Sequence, residues 1–454
     1  MNRRLAEQTL IYPLHYLRQE RIGAWLSEVR AVNGASRADI ARYQRTRLCE
    51  VVRTARHSPS PGYAPLRGAT DQLTEERIIG LLHDFPPQSK EAMRATVAAG
   101  GRPRGMASDY RSTSGSTGLP FQFYKDRYAT GFMDAVLYAA YAWHGIAVGD
   151  PQARFWGMPL TPRGAAVARI KDLLKNRLRF SAFDLSEGAR ESYYRSLHRF
   201  RPAYFYGYPS LMATFCGHLL EQGRTLRSLP LKAVIGTGEY LYPQERKLVE
   251  EATGVPFVNE YGCTEVGIIG FECPRQNLHV MSANIYLEVL KDGRPVLDEA
   301  GDIHVTELHT RSTPFIRYSL GDRGILCSAP CPCGSSLPVM QVLSGRKDDY
   351  VLTPDGRKVY DAIFAYTLKR GVSRFRAVQT AVDRIEIAIV PGTDYSPELG
   401  SRYVRELQRH LGATVTIAIS LVDTIEREPS GKLRYFRNAM AARTGRIPEE
   451  HGQP

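Results

Sequence analysis

The chain has 454 residues, 43% hydrophobic and 24% charged, which excludes a wholly disordered, collagenous or coiled-coil protein. At roughly 100–200 residues per domain the length suits one large and one small domain. The 60 Lys and Arg against 47 Asp and Glu give a net charge of +13, which suits anionic partners. The arginines are scattered as on a solvated face, and no recognition-helix or aromatic–basic pattern points to a specific nucleic acid.

Residues 1–100 are predicted to be mainly helical, because Leu26, Val29, Ile40, Tyr43, Leu48, Val51 and Val52 recur at helical spacing among Arg and Glu. The early apolar run Leu10–Leu14 is interrupted by Pro13, and no later run approaches the ~20 residues of a membrane span. Arg3 and Arg4 have no apolar stretch behind them, so a signal peptide is not expected and the expected compartment is the cytoplasm, with no membrane partner. Seven cysteines are too few for a disulfide scaffold.

Residues 130–143 are predicted as a helix. Then β-like runs alternate with helix-like segments: Tyr204–Tyr208 before Leu211–Leu220, Leu231–Ile235 before Gln244–Ala252, and Val255–Val258 before a glycine turn. Such alternation predicts an α/β domain with a largely parallel sheet. From about residue 279 to 345 the texture becomes β-rich, with strands expected at Val280–Leu290, Asp302–Leu308 and Val339–Leu343. The last hundred residues read as a hairpin (Arg374–Thr380 with Arg384–Val390), a helix at Pro397–Leu411 and a strand at Ala413–Leu421. The expected organisation is a large α/β domain, 1–346, with the β-rich part appended as a subdomain, and a small α+β domain, 347–454.

Four segments offer chemistry. Ser112-Thr-Ser-Gly-Ser-Thr-Gly-Leu-Pro120 has the glycines and hydroxyls to wrap a phosphate, although such segments are more often plain surface loops, and no Gly-Lys-Ser/Thr follows. Tyr261-Gly-Cys-Thr-Glu265 could hold a nucleotide and Mg²⁺, or form a turn. Asp322, in Phe315–Asp322, is expected at a strand end, where it could accept from ribose hydroxyls or cap a turn. Lys432, in Glu428-Pro-Ser-Gly-Lys-Leu-Arg434, could be catalytic or merely solvated.

In this order, with Gly345-Arg-Lys-Asp348 between the last two, the segments resemble the adenylate-forming superfamily of acyl- and aryl-CoA synthetases. Tyr206-Gly-Tyr-Pro-Ser210, Pro314-Phe-Ile-Arg-Tyr318, Cys331-Pro-Cys-Gly334 and Phe375-Arg-Ala-Val-Gln379 are most similar to its phenylacetate–CoA ligase branch. Two positions depart: Leu119 stands where a lysine is frequent, and Ser319 where an arginine is.

The resemblance implies an enzyme that adenylates a carboxylic acid, preferably an aryl acid, with ATP and Mg²⁺, then transfers the acyl group to coenzyme A. A carrier-protein pantetheine or an amine is the alternative acceptor. It implies that Thr113, Ser114, Gly115, Ser116, Thr117 and Gly118 hold the β- and γ-phosphates. Thr264 would lie by the α-phosphate, and Glu265 would bind Mg²⁺. Gly238, Glu239, Asn259, Glu260 and Tyr261 would form the adenine slot, with Asp322 and Arg346 at the ribose. Tyr206, Tyr208 and Gly236 would line the acyl pocket, and Lys432 would be the catalytic lysine. Asp348 would be the hinge on which the small domain swings, and a homodimer is the implied assembly.

Independently, Cys273 and His279 with Cys331 and Cys333 supply four ligands that suit a closed tetrahedral Zn²⁺ site. A tight turn with reduced thiols is the alternative, and Cys327 could replace one ligand. Cys263, inside the Thr-Glu turn, is expected beside the nucleotide. No His-based activation marks any Cys as a nucleophile.

Overall fold

The structure is a computed structural model. It describes residues 6–440 except 19, 59, 68–72, 103–105, 113–120, 157–161, 182–185, 345–349, 361, 369–370, 393 and 427–432. It divides into two compact units, residues 1–342 and 343–454. Among the described residues no helix is long and apolar enough to cross a membrane.

In the first unit, β1 (Ser108–Ser112) and β2 (Gln122–Asp126) form an antiparallel hairpin. A twelve-stranded sheet then takes β3 (Gln152–Trp156), β4 (Arg177–Ser181), β5 (Tyr204–Gly207), β6 (Ala233–Thr237), β7 (Phe257–Cys263), β8 (Gly267–Glu272), β9 (Leu278–Val280), β10 (Ile285–Lys291), β11 (Arg294–Pro295), β12 (Ala300–Glu307), β13 (Tyr318–Cys327) and β14 (Val339–Ser344). Its order is β11-β10-β12-β13-β14-β9-β8-β7-β6-β5-β3-β4. Strands β4, β3, β5, β6 and β7 pair in parallel, and the β7–β8 hairpin turns the sheet antiparallel. The β-rich part therefore continues the same sheet.

The parallel half is covered on both faces, as its apolar strands require. One face packs on the helices Ile22–Asn33 and Arg127–Tyr141 through Trp25, Phe132, Val136, Tyr204 and Ile235. The other packs on the helices Pro209–Glu221 and Pro243–Thr253 through Phe155, Phe205, Phe215, Val249 and Phe257. The helix Arg127–Tyr141 starts where Asp126 accepts from the Ala129 N–H at 2.8 Å, an N-cap bond.

Two sequence expectations shift. The strand after Val255 does not end in a glycine turn: β7 runs through Tyr261-Gly262-Cys263, and the turn comes at Thr264–Val266. Gly262 serves close packing, because a Cβ there would meet the Gly267 carbonyl oxygen at 2.4 Å. The run Val280–Leu290 breaks into β9 and β10, with a turn at Met281–Asn284 bonded from the Asn284 N–H to the Met281 carbonyl.

In the second unit, β15 (Tyr350–Leu352) pairs with β16 (Lys358–Tyr360), and a four-stranded sheet joins β17 (Val372–Ala381), β18 (Arg384–Pro391), β19 (Thr416–Leu421) and β20 (Phe436–Asn438) in the order β19-β18-β17-β20. The helix Pro397–Leu411 buries Tyr403, Leu407 and Leu411. Gln379, fully buried, stitches the β15 hairpin to the sheet by exchanging hydrogen bonds with the Leu352 N–H and carbonyl at 3.0 and 2.7 Å.

Candidate functional site

The C-terminal end of β7 gathers most of the described candidates. Alternation along the strand sends Tyr261 to one face of the sheet and Glu260 to the other. The Tyr261 hydroxyl donates to Asp322 Oδ2 at 2.7 Å, tying the expected adenine residue to the expected ribose residue across 61 positions. Burial, then the Asp322 charge, pushes the Tyr261 phenol well up, so it remains a donor. Asp322 lies inside β13, not at a strand end; it follows Gly321, whose φ of +75° breaks the extended path.

At the following turn, Glu265 is buried and accepts from the Tyr318 hydroxyl at 3.0 Å. Thr264 is exposed, and its carbonyl accepts from Arg111 Nη1 at 3.0 Å. Arg111 also donates to the Thr130 hydroxyl at 3.2 Å. It stands on β1 immediately before the Ser/Thr/Gly segment that starts at Ser112, so it joins β1 to the Thr-Glu turn. Sequence reasoning missed Arg111, which belongs to none of the motifs. Residues 113–118 lie outside the described residues; beyond them in the chain, Phe121 and Phe123 pack on Phe315 at 6.2 and 5.5 Å. Arg346, Asp348 and Lys432 also lie outside the described residues.

The remaining candidates divide. Glu239 Oε2 accepts from the Ser210 N–H at 3.0 Å, at the start of the helix Pro209–Glu221, where a negative charge suits the helix dipole. That bond joins Gly238-Glu239 to the Tyr206–Ser210 stretch; Gly238, with φ of +79°, makes the turn possible. The Asn259 N–H is held by Glu272 at 2.9 Å. The Glu260 carboxylate turns away from Tyr261, into the interior, and accepts from the hydroxyls of Tyr141 (2.8 Å) and Tyr206 (3.3 Å); burial raises its pKa. Tyr206 and Tyr208 both stack on Trp156, at 5.7 and 4.2 Å. Gly236 faces the opposite layer, where a Cβ would meet Phe257 at 2.6 Å. Burial pushes the Cys263 thiol well up, which leaves it a poor nucleophile.

The four metal candidates converge. One ligand atom from each of Cys273, His279, Cys331 and Cys333 lies within 4.8 Å of every other. Cys273 and Cys331 sulfurs are 3.9 Å apart, and Cys333 Sγ is 3.3 Å from His279 Nε2. Ligands about 2.3 Å (S) and 2.0 Å (N) from a tetrahedral centre stand about 3.8 and 3.6 Å apart, so the set fits zinc. His279 Nδ1 faces the Leu337 carbonyl at 3.1 Å, which fixes the proton on Nδ1 and frees Nε2; burial lowers its pKa and keeps the ring neutral. Cys327 only packs alongside and is not one of the four.

This geometry has counterparts. A 2-hydroxyisobutyryl-CoA ligase in the postadenylation state, in complex with 2-HIB-AMP, superposes with a TM-score of 0.71 at 21% identity, covering 89% of this chain and 90% of that one. The fold is that of the adenylate-forming ligases. Residues 351–439, within the second unit, match the CapK C-terminal domain family. Protein CapK of Staphylococcus aureus is 22% identical over 335 residues, 72% of this chain and 73% of CapK. A phenylacetate-coenzyme A ligase of Thermus thermophilus is 24% identical over 284 residues, 55% of this chain and 63% of that enzyme. In this chain the Tyr261–Asp322 bond joins β7 to β13, and the Thr264–Glu265 turn follows β7.

Proposed function

We propose that this chain is an AMP-forming acid–thiol ligase, which adenylates a carboxylic acid with ATP and passes the acyl group to coenzyme A. The observation that carries the reading is the Tyr261–Asp322 bond: two motif residues remote in sequence, each with an assigned place at the nucleoside, are joined side chain to side chain. In the first step the carboxylate attacks the α-phosphorus and pyrophosphate leaves. In the second, a thiolate attacks the acyl carbonyl and AMP leaves. Both steps bring anions together, so the chain must supply donors and cations where charge accumulates.

Thr113–Gly118 hold the β- and γ-phosphates, Thr264 the α-phosphate, and Asp322 and Arg346 the ribose. Lys432 is the catalytic lysine. Glu265, an oxygen donor beside the Thr264 hydroxyl, suits Mg²⁺, which supplies charge neutralisation when bound. The second unit, turning at Asp348, serves the two steps in two orientations. The Cys273, His279, Cys331 and Cys333 set holds one structural zinc, whose contribution is folding free energy.

ATP–pyrophosphate exchange across aryl, aliphatic and amino acids tests the first step. Exchange with at least one acid, abolished in Lys432→Ala, is the expected result; wild-type exchange in that variant would remove Lys432 from the mechanism. A carrier-protein pantetheine or an amine is the alternative acceptor. Acceptor-dependent AMP release, with coenzyme A against carrier proteins and amines, separates the two.

A further inference from the structure

The chain passes from β3 to β4 on one side and then returns to β5 on the other, so the gap between the ends of β3 and β5 is the topological switch point of the parallel sheet. Ligands of open α/β sheets bind outside the carboxyl ends of the strands at such a gap. Here it is walled by Trp156, which ends β3, and by Tyr206 and Tyr208 at the end of β5.

Beneath these rings lies Arg154. Its guanidinium carbon stands 4.8 Å from the Trp156 ring centroid and 4.9 Å from that of Tyr206. In the β3–β4 register Arg154 sits beside Arg179 and Gln152 beside Arg177, so three arginines share one face. One carboxylate serves two of them: Asp172 takes Arg179 through contacts of 2.7 and 2.9 Å and lies 3.7 Å from Arg177. Arg154 has neither a hydrogen bond nor an ion pair among the described residues, and its Nε is buried without a partner. Glu260, the carboxylate facing it from β7, already accepts from Tyr141 and Tyr206. Burial, helped by the Arg177 and Arg179 charges, lowers the Arg154 pKa to about 10, yet the group is still a cation at neutral pH. An uncompensated cation in such a place is costly to keep. The two rings stack on each other at 5.7 Å and stand together on one side of the Arg154 guanidinium, the group that grips an oxyanion with two parallel bonds.

We propose that the acid adenylated by this chain carries a second anionic group, which seats on Arg154 beside the Trp156–Tyr206 stack. The proposal rests on the adenylation reading and narrows it from any aryl acid to diacids and related oxyanion-bearing acids.

The test is pyrophosphate exchange with matched pairs: benzoate beside its dicarboxylates and sulfobenzoates, and butyrate to octanoate beside the dicarboxylates of equal length. Wild-type kcat/KM is expected to favour the best diacid over its monoacid by roughly tenfold or more, the worth of a charged hydrogen-bonded pair. Arg154→Met should collapse that ratio to near one, through the KM of the diacid, and Arg154→Lys should restore part of it. Sulfobenzoates tell whether any oxyanion serves or only carboxylate. A wild type that takes monoacids as well as every diacid overturns the proposal. So does an Arg154→Met variant that loses both alike, or whose defect falls on the KM for ATP, because the guanidinium then serves the fold or the nucleotide. No exchange with any acid counts against the adenylation reading itself. Calorimetric titration of the same diacids into both proteins then decides the anion site alone: binding lost in Arg154→Met upholds it, and equal or absent binding overturns it.

Discussion

The large unit draws two arginines inward, Arg317 fully and Arg154 in part, and treats them in opposite ways. Arg317 is fully buried, and every direction of its fork is used: Nε and Nη2 grip Glu288 at 3.1 and 3.0 Å, while Nη1 donates to the carbonyls of His83 and Phe85 at 2.8 and 2.7 Å. Its backbone is held at φ +45°, a conformation that persists only where the surroundings over-determine it. Arg154 rests against two stacked aromatic rings and has no polar partner among the described residues. The first clamps the helical lead-in to the β-rich strands and leaves nothing to offer a ligand. The second leaves bonding capacity open, among the described residues, beside the switch point of the parallel sheet. A satisfied buried charge is scaffold; an unsatisfied one beside a switch point is an invitation.

The largest effect should come from breaking the satisfied arginine. Arg317→Met strands Glu288, whose pKa burial already raises, and should cost about 3–5 kcal/mol of stability in urea denaturation. Adding Glu288→Leu should recover most of that loss; if the single variant is as stable as wild type, the clamp is not what holds the lead-in. Next in size is the Cys/His cluster. Stripping the metal, or Cys331→Ser, should lower the thermal midpoint by on the order of 10 °C while zinc analysis falls from one per chain towards zero. Zinc-free wild type prepared without chelators would dismiss the site.

A smaller effect is expected at Tyr261. Tyr261→Phe removes one hydrogen bond from Asp322, worth about 1 kcal/mol, and should raise the KM for ATP roughly five- to tenfold with the acid KM unchanged. An acid-side defect would move Tyr261 out of the nucleotide wall. Smallest in stability is Arg154→Met, where loss of cation–π contact is offset by relief of an unpaired charge. Its unfolding free energy should stay within about 1 kcal/mol of wild type, or rise. A loss like that of Arg317 would erase the contrast between the two arginines.

The candidate site could be located because its motifs are short contiguous strings, while the roles of their residues came only with the resemblance. From residue types alone Tyr261–Glu265 and Gly321-Asp322 could equally be plain turns, whereas the helix Pro397–Leu411 was readable to the residue because Ser396 caps it and Gly412 ends it. Side-chain direction was not legible. The resemblance put Glu260 and Tyr261 in one slot, but neighbours on a strand face opposite ways, and only the β6–β7–β8 pairing says which way each faces. Gly236 turned to the Phe257 layer for the same reason. Arg111 was invisible because its partner is a backbone carbonyl 153 positions away.

The sequence by itself determined the class of fold, the order of the nucleotide motifs and the ligand types of the Cys/His set, because each is written in local composition and periodicity. The tertiary structure alone decided that the β-rich strands extend the parallel sheet, that four candidate ligands spread over two segments meet within 4.8 Å, and that Arg154, against Trp156 and Tyr206, has no polar partner among the described residues. The physical reason is register. Which residues of β3, β4 and β5 stand side by side depends on hydrogen-bond pairing between strands separated by whole helices, and no local pattern in the chain encodes that pairing.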